Sequence, residues 1–296
     1  MCMKRTFLAK LQRNARYCLA GALLLIICVP LYQLAVLNPA GYSDALNSLA
    51  QTLRWINGHG LLFAGYRALL VAGFALILGL PFALFRIIVA QEIIGRADIE
   101  EHERAQEDAQ PPEAEEPVDE DEDAVEQEQV EEEKEQAQEN KSDDGMPEFA
   151  WRGKGYAVIA AWAGLFGLFF FVAGTLASTI YLLTSAASFS SSAAGNAAPL
   201  TGLFAVLTFT VGGGLLALSC LLFGAVIARS GRRLWPDSWV FFGYVALAIA
   251  ALMSGSAVQV ASAPATGQAV LSTPAVLLFA LWTLWFAVMV VRLKPE

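Results

Sequence analysis

AVIAAWAGLFGLFFFVAGTLASTIYLL, residues 157–183, carries no charged side chain over 27 positions. A helix rises about 1.5 Å per residue, so a run of this length outreaches the roughly 30 Å hydrocarbon core of a bilayer. The stretch predicts a membrane-spanning helix, and the rest of the chain is read outward from it. Downstream, apolar runs at Leu203–Ala228, Val240–Ala257 and Ala275–Val291 predict three more spans. Ser254, Gly255 and Ser256 erode the outer end of the second of these, and Thr273-Pro274 offers a hydroxyl cap followed by proline for the last. Upstream, Tyr17–Val36 and Ala68–Phe85 complete a set of six. Pro30 is expected to kink the first. That first run exceeds the usual h-region of a signal peptide and lacks a small-x-small cleavage site, so it reads as an uncleaved anchor.

Charge is segregated to the same plan. Of 296 residues, 56% are hydrophobic, and the net charge is −9. Between Asp98 and Asp144 lie 23 carboxylates against Arg104, Lys134 and Lys141, a balance of −20. The remainder has 16 basic and 5 acidic residues, a balance of +11. The acidic pI therefore comes from one segment set into a mildly basic body. Residues 97–148 are poor in apolar side chains and contain Pro111, Pro112 and Pro117, so they predict a disordered linker. Val118, Val125 and Val130 keep no heptad, which argues against a coiled coil.

Lysine and arginine set the expected threading. Lys4, Arg5, Lys10, Arg13 and Arg16 precede the first run, Arg86 and Arg96 follow the second, and Arg152 and Lys154 precede the third. Arg229, Arg232 and Arg233 sit between the fourth and fifth, and Arg292 and Lys294 follow the sixth. With six spans all these clusters share one side, which places both termini and the acidic tract in the cytoplasm. The Ala-, Leu- and Gly-rich text points to a plasma membrane, specifically a bacterial inner membrane. The organisation expected is all-α: a two-helix membrane hairpin over 1–96, an acidic linker over 97–148 and a four-helix membrane domain over 149–296.

Between the first two runs, Leu46, Leu49, Leu53 and Ile56 recur at helical spacing. They predict an amphipathic helix over 43–56 on the outer side, broken by Asn38-Pro39 before it and Asn57-Gly58 after it. Its expected role is to lie on the membrane or cap the bundle, with partner docking as the sharper alternative. Ala160/Gly164, Gly174/Ser178 and Gly213/Ala217 have the small-xxx-small spacing that lets helix backbones approach in lipid. The turn RSGRRLWPDSW, residues 229–239, pairs arginines with Trp235 and Trp239, as a membrane interface selects.

Chemistry is sparse. No carboxylate lies between Glu148 and Asp237 or between Asp237 and Glu296, which argues against an acidic proton relay in the last four spans. Arg67 and Arg86 flank the second run and are expected to snorkel. His59 and His102 are the only histidines, and GxSxG is missing. Cys2, Cys18, Cys28 and Cys220 show no metal-ligand or disulfide spacing. The acidic tract lacks the ligand spacing of an EF-hand. No catalytic, cofactor-binding or metal-binding residue is therefore expected, no cofactor, and no enzyme activity. The expected function is a non-catalytic component of a larger membrane assembly for secretion, transfer or the envelope. Its expected partners are the lipid bilayer, other membrane proteins and a basic protein surface docked on the acidic tract, with no nucleic acid. A channel or facilitator for uncharged or small solutes is the alternative.

Overall fold

The computed structural model describes residues 5–46, 48–90, 148–188, 193–262 and 271–292. The acidic linker predicted over 97–148 lies outside these residues apart from Glu148, which opens a helix. Among the described residues the regular structure is entirely helical. Six helices are long and apolar enough to cross a membrane: Leu8–Leu37, Leu49–Ala90, Gly155–Ala187, Ala198–Arg229, Asp237–Ser262 and Ser272–Val291. The chain is an all-α multi-pass membrane protein. The apolar runs mark these spans, but most helices extend beyond them at one or both ends.

The six spans pack as a closed ring. Each lies against the next in sequence, and the first packs on the sixth to close the circuit. One continuous core joins side chains from all six, from Leu11 and Phe74 to Phe242 and Phe286. Outward positions such as Leu34, Phe169, Phe241 and Val258 remain more than half exposed, as a lipid-facing perimeter requires.

The first span bends its hydrogen bonding rather than breaking. Pro30 has no N–H to give and its ring crowds the preceding turn. The helix widens just before it into a π-helical turn, Leu24–Cys28, where the Val29 N–H reaches back five residues to the Leu24 carbonyl. A second wide turn, Gln33–Leu37, ends with the Asn38 N–H on the Gln33 carbonyl at 2.9 Å. The fourth span contains a third, Val206–Gly212. The fifth span stays helical through Ser254, Gly255 and Ser256 to Ser262, because buried Ser256 faces the bundle and Leu271 lies against Gly255. The sixth begins at Ser272, one residue before the predicted Thr273 cap. The preceding Leu271 N–H is instead taken by Gln259 Oε1 at 3.3 Å.

The amphipathic helix predicted over 43–56 is divided. A short helix, Tyr42–Ala45, is entered through Gly41 at φ 81°. Ser48 then caps a new helix by accepting the Gln51 N–H at 3.2 Å. This helix does not stop at Asn57-Gly58. It continues as the second span with a kink at His59 (φ −133°, ψ 32°). Leu53 and Ile56 are buried with Leu37, Tyr42, Phe63, Leu182 and Ala186 in a second cluster. Their apolar stripe therefore closes one end of the bundle. Trp55 fastens the corner, donating to the Ala40 carbonyl at 2.6 Å, and its ring stacks on His59 at 4.8 Å.

Candidate functional site

The centre of the ring is filled. Phe242 and Trp282 stack with centroids 4.5 Å apart and planes 11° from parallel, and Trp282 Nε1 donates to the Phe242 carbonyl at 3.1 Å. Phe279 and Phe286 pack beside them. Lower in the same core, the space enclosed by Pro81, Gly164, Ser219, Phe223, Phe279 and Trp282 is about 10 Å³. That is no more than the room a single water needs, and its exposed lining is apolar. A wider groove of about 340 Å³ opens between the fourth and fifth spans, lined by Gly214, Ala217, Leu221, Leu247, Ala250 and Ser254.

Helices meet where one residue is small enough to admit its neighbour's backbone. A Cβ on Gly21 would stand 2.6 Å from the Gly73 carbonyl oxygen, so these glycines form the crossing of the first two spans. Gly167 lies against Gly212 and Leu216, Gly174 against Thr208, and Gly224 against the Gly243 carbonyl. Of the three small-residue pairs read from the sequence, Ala160/Gly164 lies at such a crossing. Ser219 Oγ donates to the Ala160 carbonyl at 2.7 Å, and Gly164 abuts Pro81 and Ser219. Gly174 is likewise at a contact. Gly213 is not, since a Cβ there would meet nothing within 4 Å. Other hydroxyls tie the bundle across spans: Thr210 donates to the Ala257 carbonyl at 3.1 Å and Tyr32 to the Leu62 carbonyl at 3.2 Å.

Among the described residues no group of three or more His, Cys, Asp or Glu side chains converges. Cys18 and Cys220 are buried singly and Cys28 is exposed, all three as free thiols. His59 lies at the helix kink, with Nδ1 3.2 Å from the Trp55 carbonyl. The other predicted histidine, His102, lies outside the described residues.

The helix that carries Arg67 does not end there but runs from Leu49 through residue 90, with apolar side chains on both sides of the arginine. Tyr32 bonds Leu62, while Leu25 touches Gly73, so Arg67 lies between these two contacts with the first span. Its Nε is shielded and has no hydrogen-bond partner, and its guanidinium carbon lies 5.2 Å from the Phe63 ring centroid. Tyr42 packs close by, 6.4 Å from Phe63 and 6.3 Å from Tyr66. Burial pushes the Tyr42 hydroxyl above its ordinary value, and the charge of Arg67 partly offsets this. The stretch 60–66 preceding Arg67 carries no charge, and the helix continues through it.

Comparison with protein-family models, with curated proteins and with solved structures finds no match.

Proposed function

We propose that this protein is a non-catalytic multi-pass component of a larger membrane assembly, resident in the plasma membrane of a bacterium with both termini in the cytoplasm. The observation that carries this reading is the packed interior. Six spans close on one another around aromatic side chains, the space among Pro81, Gly164, Ser219, Phe223, Phe279 and Trp282 is about 10 Å³, and no group of three or more His, Cys, Asp or Glu side chains converges among the described residues. Solute passage through the ring would require Phe242, Phe279 and Trp282 to move aside, so the filled centre supports assembly over transport. The work then falls to the surfaces the chain presents outward and to its acidic tract over 97–148. A balance of −20 between Asp98 and Asp144 suits that tract to dock a basic protein surface.

Affinity purification of the full-length protein beside a version lacking 97–145 tests this reading. Specific membrane-protein partners are expected with the full chain, and partners held through the tract are expected to be lost from the deletion and to elute from the full chain at raised salt. Recovery of the lone protein in both preparations would refute the proposal. Threading has its own test. A reporter active only outside the cytoplasm is expected to work when fused near Ser190 or Thr266 and to stay silent near Gln127 or Ser230. Activity at Gln127 would reverse the orientation.

A further inference from the structure

We propose that Arg67 holds the phosphate of a phospholipid at the bundle surface, on the side of the short helix Tyr42–Ala45. A guanidinium bordering an apolar span, here the uncharged run 68–85, lies within reach of an anionic headgroup. Arg67 lies eight residues beyond the His59 kink, about 12 Å along the helix. The stretch 60–85 around it contains no other charged side chain. Its Nε is shielded without a hydrogen-bond partner, and the guanidinium carbon lies over the Phe63 ring. The residue as a whole is only partly buried.

Arg54 and Arg86 supply the contrast. Both side chains are exposed, Arg54 five residues before the kink and Arg86 at the opposite end of the span. Tyr42 and Tyr66 lie within electrostatic reach of Arg67 and have hydroxyl donors for a phosphate oxygen. A fixed guanidinium fork with neighbouring phenols matches a phosphodiester, which accepts two parallel N–H bonds and further O–H donors. In a bilayer, the phosphodiester within a snorkelling arginine's reach is the lipid headgroup.

Native mass spectrometry of the full-length chain in detergent, titrated with phosphatidylglycerol and separately with diacylglycerol, tests the assignment. One tightly held phosphatidylglycerol is expected on the wild type, with affinity falling about tenfold in R67Q, the scale of a lost charge-assisted hydrogen-bonded pair. R67K keeps the charge without the fork and is expected to fall between the two, while R54Q is expected to match the wild type. Equal phosphatidylglycerol binding by wild type, R67K and R67Q would overturn the proposal, as would equal binding of diacylglycerol. Displacement of the lipid by an equal concentration of inorganic phosphate would assign the site to a free anion and overturn the lipid source. Should R67Q fail to fold, wild type and R67K decide the matter, indistinguishable affinities again overturning it.

Discussion

Trp282→Ala is expected to lower the stability of the detergent-solubilised protein by about 3 kcal/mol, the low end for truncating a buried aromatic. The indole is 2% exposed, stacks on Phe242 and donates across the bundle to the Phe242 carbonyl. Alanine removes the stack, leaves that carbonyl without its indole donor, and opens a void among spans two to six. The low end applies because spans separating in lipid or detergent remain in apolar surroundings, so the loss is of contacts more than of shelter from water. Trp162 is the control. It is half exposed on the third span, against Phe82 and Phe166, and Trp162→Ala is expected to cost less than about 1 kcal/mol. Thermal unfolding followed by tryptophan fluorescence or light scattering reads both. Equal losses would show that the central stack is not the principal contact of the bundle.

Gly21→Leu is expected to be the more disruptive change, because what it strikes cannot rotate away. The new Cβ would meet the Gly73 carbonyl oxygen at 2.6 Å and Ile77 Cγ1 at 2.9 Å. A side chain can change rotamer, but a backbone carbonyl can yield only if the two spans separate. Overpacking typically costs about 1–3 kcal/mol, and this site belongs at or above the top of that range. The first span also closes the ring against the sixth, so its displacement loosens two contacts at once. Gly58→Ala is the matched control: a Cβ there meets nothing within 4 Å, and alanine is expected to be neutral or stabilising by up to about 1 kcal/mol. Yield and thermal unfolding of the purified variants distinguish the two, and normal folding of Gly21→Leu would contradict the crossing described here.

Small residues show how far pattern reading reaches in this chain. Ala160, Gly164 and Gly174 were legible because each has a small residue one turn away on the same helix, Gly174 with Ser178, and each lies at a contact. Gly21 and Gly73 were not legible as a pair. They are 52 residues apart, and only the crossing of two spans brings them together. Gly213 had the right spacing and lies at no contact, because spacing identifies a face without saying what covers it. The helix at 49–56 shows the same limit from another side. Its apolar stripe was visible, yet whether it lies on the membrane, docks a partner or caps the bundle depended on where Leu37, Tyr42 and Leu182 come to rest.

The sequence by itself determined that there are six spans, because crossing hydrocarbon is a matter of local length and polarity, summed residue by residue. It also determined the separation of a −20 segment from a +11 body. Only the tertiary structure decided that the spans close into a ring, that aromatic side chains fill its centre, and that Arg67 comes to lie beside Phe63, Tyr42 and Tyr66. Lipid tails are as apolar as the helix faces they cover, so hydropathy cannot choose a helix's neighbour. That choice rests on shape at a few crossings, on hydroxyls and indoles that find carbonyls across the gap, and on which polar group the packing leaves without a partner.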